Sequence, residues 1–244
     1  MITFLIITFD FNSIKKINRI WIYPLFVGVF LILVSSCNKD NETPATVTDI
    51  DGNVYHTVTI GTQVWMVENL KTTKYSNGDL IGTTTPATLD IMSESTPKYQ
   101  WAYNDEESKV ATYGRLYTWY AVADSRNVCP TGWHVPSDAE WTTLTTYLGG
   151  LSVAGAKLKE KGTAHWESPN TGATNESGYT ALPGGFRYAE GLFSYIEKQC
   201  VLQSSSETDA DNACSLMLQY DDANFGQSCY SQKKQGYSVR CVRD

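Results

Sequence analysis

Histidine is scarce in this 244-residue chain: it has only His56, His134 and His165. None has a His, Glu or Cys three or four positions away in a ligand pattern, which leaves little material for a His-based metal centre. Positive charge is also short, with 19 Lys and Arg against 26 Asp and Glu and a formal net charge of −7. Nucleic-acid binders need a basic face, so nucleic acid is excluded as a partner. No apolar run reaches the roughly 20 residues that a spanning helix requires. The longest without a charge is 20–34. No internal repeat of 20–50 residues is found either, so a solenoid or propeller is excluded. At 42% hydrophobic and 18% charged, the composition is that of a globular protein rather than a disordered one.

The N-terminus reads as an address. Lys15, Lys16 and Arg19 supply a positive n-region, and 20–34 an apolar core of signal-peptide length. Val34, Ser35, Ser36 and Cys37 follow, which resembles a bacterial lipobox. The expectation is a lipoprotein signal peptide over 1–36 and lipidation of Cys37, so that the chain meets the membrane through a lipid anchor. Residues 1–13 form an apolar run broken by Asp10 ahead of the n-region, and translation is expected to start near Ile14. The polar tether over 37–46 opens with Asn38, Lys39, Asp40, Asn41 and Glu42, which resembles the surface-export signal of Bacteroidota lipoproteins. The expected location is the outer membrane, facing outward. Residues 1–36 hold three Lys/Arg and one Asp, leaving 16 basic and 25 acidic residues from Cys37 onward, a net charge of −9.

From residue 47 the pattern changes to short strands among turn signals at Asp51-Gly52-Asn53 and Gly61-Thr62. Asp49 to Asn53 has the look of half a calcium loop, but Ile60 stands where the closing Glu belongs, so it reads as a β-turn. Residues 76–100 read as a long loop. Leu116, Trp119, Tyr120 and Ala123 lie at helical spacing and predict a helix over 113–124. Ser137 and Glu140 form a capping box for a second helix, with Trp141, Leu144, Tyr147 and Leu148 as its apolar face and Gly149-Gly150 as its stop. A third helix is expected over 153–161. Strands are expected again at 186–188, 192–196, 215–220 and 237–242. The order predicts one α+β domain over 47–244.

Three segments carry a family resemblance: Asp49 to Tyr55 with Gln63 to Leu70, Cys129 to Trp141, and Gly236 to Asp244. Tyr113 to Ala121 and Gly184 to Tyr188 fit as well. The chain resembles the Fibrobacter succinogenes major paralogous domain of Bacteroidota and Fibrobacter lipoproteins, a resemblance that implies no biochemical activity. Trp133 to Trp141 and Ser238 to Val242 are similar to stretches of formylglycine-generating-enzyme domains. That similarity implies a C-type-lectin-like fold, with terminal strands side by side, flanking helices and long loops. Where the family shows a Tyr-Trp-Trp-Ser-Ser run, this chain has Cys200, Val201 and Leu202 ahead of its serines.

Outside the leader are Cys129, Cys200, Cys214, Cys229 and Cys241. Export predicts disulfides. Cys129 and Cys241 stand in the family-like motifs and are expected to pair, which the chain-entropy model values at about 4–5 kcal/mol. Cys214 with Cys229 would staple a hairpin, and Cys200 with Cys214 is an equal alternative. No nucleophile or active-site motif accompanies the spare thiol, so no catalytic residue is assigned. His134 reads as a packing or capping residue. The acidic groups Asp105-Glu106-Glu107, Asp209 with Asp211, and Asp221-Asp222 read as solvated loops. Asp221, Asp222 and Asn224 are the one calcium candidate, since hard oxygen ligands cluster there. No cofactor is expected, and the Glu-Pro-Asn and Gln-Pro-Asp sugar motifs of lectins are absent. Tyr99, Trp101 and Tyr103 alternate as residues on one strand face do, and with Trp166 they lie in polar surroundings. Exposed rings there would stack on sugars. The expectation is a binding or adhesion module for glycans or a surface protein. A thiol- or copper-dependent oxidase, or a structural surface protein, are the alternatives.

Overall fold

The computed structural model describes residues 45–244. The leader, the start near Ile14, Cys37 and the tether up to residue 44 lie outside the described residues. The described residues fall within one unit.

The strands are β1 (Thr46–Thr48), β2 (Val54–Ile60), β3 (Gln63–Met66), β4 (Gln100–Trp101), β5 (Leu116–Tyr117), β6 (Trp133–His134), β7 (Gly184–Arg187), β8 (Phe193–Ile196), β9 (Gln199–Glu207), β10 (Asn212–Gln219), β11 (Gly226–Gln232), β12 (Tyr237–Ser238) and β13 (Val242–Arg243). The helices are α1 (Val110–Tyr113), α2 (Trp119–Val122), α3 (Asp138–Tyr147) and α4 (Leu151–Leu158). One sheet runs β1-β2-β3-β13-β6. The other runs β11-β10-β9-β12-β5-β4, with β7 joined to β9 and β8 to β7. The class is α+β, as the sequence predicts.

Local chemistry accounts for these elements. The Asp49 carboxylate accepts the amides of Asp51 and Asn53, so the calcium-like segment is an Asx turn joining β1 to β2. Ser137 caps α3: its hydroxyl accepts the Glu140 amide at 3.3 Å while the Glu140 carboxylate accepts the Ser137 amide at 2.8 Å. Trp141, Leu144 and Leu148 are buried, and the Trp141 ring lies 4.6 Å from that of Trp65 on β3. Tyr147 is not part of this face. It is 66% exposed and lies over the Gly61 turn.

The helix expected over 113–124 is broken. Gly114 takes φ +73° where a Cβ would come within 2.6 Å of Asn69 and 2.8 Å of the Leu70 carbonyl. α1 therefore stops at Tyr113, the chain extends as β5, and helix resumes for one turn as α2. Four apolar positions at helical spacing fit a short strand followed by a turn equally well. The third helix begins at Leu151 rather than Val153 and ends at Leu158.

The segment 237–242 makes two strands, one in each sheet, and Val239–Cys241 crosses between them. The crossing buries Arg240, whose guanidinium donates to Asn69 Oδ1 and to the carbonyls of Tyr179 and Thr180 while lying 4.3 Å from the Tyr179 ring. Arg187 behaves likewise: fully buried, it donates to the carbonyls of Ala87, Leu89 and Tyr188, and sits 4.1 Å from the Trp101 ring. Burial lowers its pKa to about 10. Lys159 and Lys233 repeat the pattern on the 219–222 and 209–210 turns. Long irregular loops leave carbonyls without ladder partners. Here the chain's own cations satisfy them.

Candidate binding surface

The β7–β8 hairpin gathers three rings near the surface, the half-buried Phe186 and Tyr188 and the exposed Tyr195. Phe186 pairs with Ser194 and Arg187 with Phe193. Pleating then sends Arg187 and Phe193 inward, where both are buried, and turns Phe186 outward. Tyr188 continues the outer row. Tyr195 breaks the alternation: its φ is +65°, and Gly185 across the hairpin has φ +63°. A Cβ on Gly185 would approach the Ser194 carbonyl to 2.4 Å and the Ile196 amide to 2.6 Å, so glycine is required there. The Tyr195 ring stacks on Phe186 at 5.4 Å and 10°, and Tyr195 remains 44% exposed. Tyr188 and Tyr237 meet Phe186 edge-on at 4.8 and 5.8 Å. Tyr188, Leu192, Ser194, Tyr195, Ile196 and Lys198 surround a shallow depression of about 440 Å³. Burial and the neighbouring Tyr195 raise the pKa of Tyr188, so its hydroxyl stays protonated near neutrality.

The four rings expected to form this surface lie elsewhere. Trp101 is 1% exposed on β4, where its Nε1 donates to Thr84 Oγ1 at 2.9 Å and Arg187 covers its face. Tyr103 is buried edge-on to Phe193 at 5.5 Å. Tyr99 is half-buried, its hydroxyl donating to Glu94. Trp166 is 2% exposed, its Nε1 donating to the Ala181 carbonyl at 2.9 Å. The exposed-ring expectation at Trp101, Tyr103 and Trp166 is therefore corrected. The strand ends at Trp101, and the 82–99 loop folds back over it through the Gly82–Tyr99 bridge and Thr84. A cleft does form between Met92 of that loop and Ala189, Asp211, Asn212, Gln232 and Lys234, but its walls carry no ring. The same i, i+2 alternation that singled out Tyr99 and Trp101 is present in Phe186 and Tyr188, and would have found the hairpin.

The cysteines pair as Cys129–Cys241 and Cys214–Cys229. The first follows the motif-based expectation. The second selects the hairpin staple between β10 and β11 over the Cys200 alternative. Cys200 is a buried free thiol on β9, and burial pushes its pKa up to about 11. Asp138 approaches the Cys214–Cys229 bridge, whose sulfurs are bonded to each other and offer no thiolate. At the calcium candidate, the Asp222 carboxylate accepts the Asn224 amide and its carbonyl accepts Lys159, while Asp221 is exposed. The Asp222 groups are thus engaged within the chain. His134 sits between the carboxylates of Asp244 and Glu140 at 2.6 and 2.7 Å, joining Asp244 to the first turn of α3, whose cap is Ser137.

An α+β domain pinned by two disulfides, with its motif arginines turned inward onto loop carbonyls, is the class that fold and surface define. The chain belongs to the Fibrobacter succinogenes major domain family, whose model matches residues 58–243. No curated protein and no solved structure matches it.

Proposed function

We propose that this chain is a Bacteroidota cell-envelope lipoprotein, displayed outward from a lipidated Cys37, whose C-type-lectin-like domain works by binding rather than catalysis. The observation that carries the reading is Tyr195, 44% exposed and stacked on the half-buried Phe186 beside Tyr188 and Leu192: clustered apolar side chains at a protein surface mark contact sites. The reactive side chains are engaged elsewhere. Cys200 is buried and protonated at neutral pH, the opposite of a nucleophilic thiol. Pairing of β13 with β3 brings the two ends of the domain together, which supports the lectin-like reading.

Expression of the full chain in a Bacteroidota host tests it. A lipid label should enter the wild type and not Cys37→Ala, and protease added to intact cells should remove the wild-type domain. Cells carrying the chain should adhere to glycan- or protein-coated surfaces better than cells lacking it. Equal adhesion overturns the binding role, and Cys200-dependent oxidation of a cysteine peptide would replace it with the oxidase alternative.

A further inference from the structure

We infer that the shelf around Tyr188 and Tyr195 on the β7–β8 hairpin, with Tyr195 backed by Phe186, is a stacking site for a neutral saccharide; this rests on the binding reading and names its ligand class. Tyr195 is the first argument. It combines a left-handed backbone, unfavourable for a residue with a Cβ, with a ring left 44% exposed. Glycine or asparagine would suit that φ better. The result is a ring stacked on Phe186, with part of Tyr195 left open to solvent.

The surroundings select among ligands. The face of an aromatic ring is negative, and the C–H face of a pyranose is apolar and slightly positive, so the two pack together. Ser194 and the Tyr188 and Tyr195 hydroxyls rim the depression with groups that both donate and accept, matching sugar hydroxyls. The cation at the rim, Lys198, lies 3.3 Å from the Glu167 carboxylate, which offsets its charge. The net charge of −9 from Cys37 onward repels polyanions further. A protein partner would need about 1,200 Å² or more of total buried surface, whereas this shallow depression is bounded by six residues.

The test uses the purified full chain in detergent, with cellohexaose, chitohexaose and mannohexaose as neutral probes and polygalacturonate as the anionic one, read by calorimetry. At least one neutral hexasaccharide should bind. Tyr195→Gly, which suits the local backbone, should weaken that binding roughly tenfold. Tyr195→Phe should retain it, and both variants should keep the wild-type melting temperature within a few degrees. Absence of binding to all three neutral probes, preference for polygalacturonate, or an unchanged affinity in Tyr195→Gly overturns the inference. Adhesion of cells displaying Tyr195→Gly separates the two levels. If adhesion persists while saccharide binding is absent, the saccharide site is wrong and the binding role stands; if wild-type cells do not adhere at all, the binding role itself fails.

Discussion

The ammonium of Lys159 lies 2.7 Å from the backbone carbonyl of Asp222, inside the turn whose carboxylates attract attention as calcium ligands. The same nitrogen reaches the carbonyls of Gln219 at 2.8 Å and Thr171 at 3.0 Å, and sits 5.4 Å from the Trp166 ring. A side chain of this protein thus occupies the place a bound cation would take. Lys159→Met should leave three acceptors without their donor and destabilise the domain by about 3 kcal/mol or more. Denaturant unfolding measures this. Added calcium should leave the wild-type melting temperature unchanged, because these carbonyl oxygens already have a donor; a clear calcium-dependent rise would contradict this assignment.

Stability should also depend on pH through His134. Burial opposes its charge, but the carboxylates of Asp244 and Glu140 outweigh that and raise its pKa above the ordinary 6.5. A raised imidazolium contributes stability that is full below about 6.5 and is lost as pH climbs through the folded value. Glu140 runs the other way. Burial opposes its ionisation, but the amide and hydroxyl of Ser137 and the His134 ring outweigh that and hold its pKa below 4.5. Its contribution is present above 4.5 and lost as pH falls through the lowered value. The cluster is therefore strongest between about pH 4.5 and 6.5. Urea midpoints for the wild type should fall from pH 6 to pH 8, and His134→Gln should flatten that slope. An equal slope in the variant would assign the effect to other groups.

What could be read from the sequence follows the locality of each signal. The α3 capping box needs four consecutive residues and was legible. The β9 strand was not. Its buried stretch from Cys200 to Ser204 mixes thiol, aliphatic, amide and hydroxyl groups, because Gln203 reaches the Tyr117 carbonyl and the Ser204 carbonyl accepts Trp119. Burial there depends on partners about 85 positions away, which no period-2 pattern encodes. β11 was missed because its alternation is polar on both faces. The aromatic surface was misplaced for a related reason. Trp101 and Phe186 sit in similar alternating contexts, and only the 82–99 loop and Arg187 make one buried and the other accessible.

Gly155 tests a sign reversal. It lies within α4, and replacing an ordinary helical glycine by alanine is worth about 1 kcal/mol of stabilisation. Here the new Cβ would stand 2.2 Å from the Asn224 carbonyl oxygen and 2.6 Å from that of Ala223. The helix would have to move away from the turn that Lys159 organises. Gly155→Ala should destabilise by about 1–3 kcal/mol, in keeping with overpacked sites. A melting temperature equal to or above the wild type would show that this contact is looser than it stands here.

The two disulfides should differ in worth because they close loops of different length. Cys129–Cys241 spans 112 positions and Cys214–Cys229 spans 15. Chain entropy then assigns them about 5 and about 3 kcal/mol respectively. Their places in the fold point the same way. Cys241 lies on the crossing between the sheets, beside buried Arg240, whereas Cys214–Cys229 sits at a register shift between two strands that already pair on either side of it. The double variant Cys129→Ala/Cys241→Ala should therefore lose more stability than Cys214→Ala/Cys229→Ala, and the latter should keep the saccharide shelf intact, since β7 and β8 reach the sheet through β9 rather than β11. Urea unfolding of both variants, paired with hydrogen exchange at the β7–β8 amides, measures the two effects separately. A larger loss in the Cys214–Cys229 variant would mean that the β10–β11 edge, not the crossing, limits the stability of this domain.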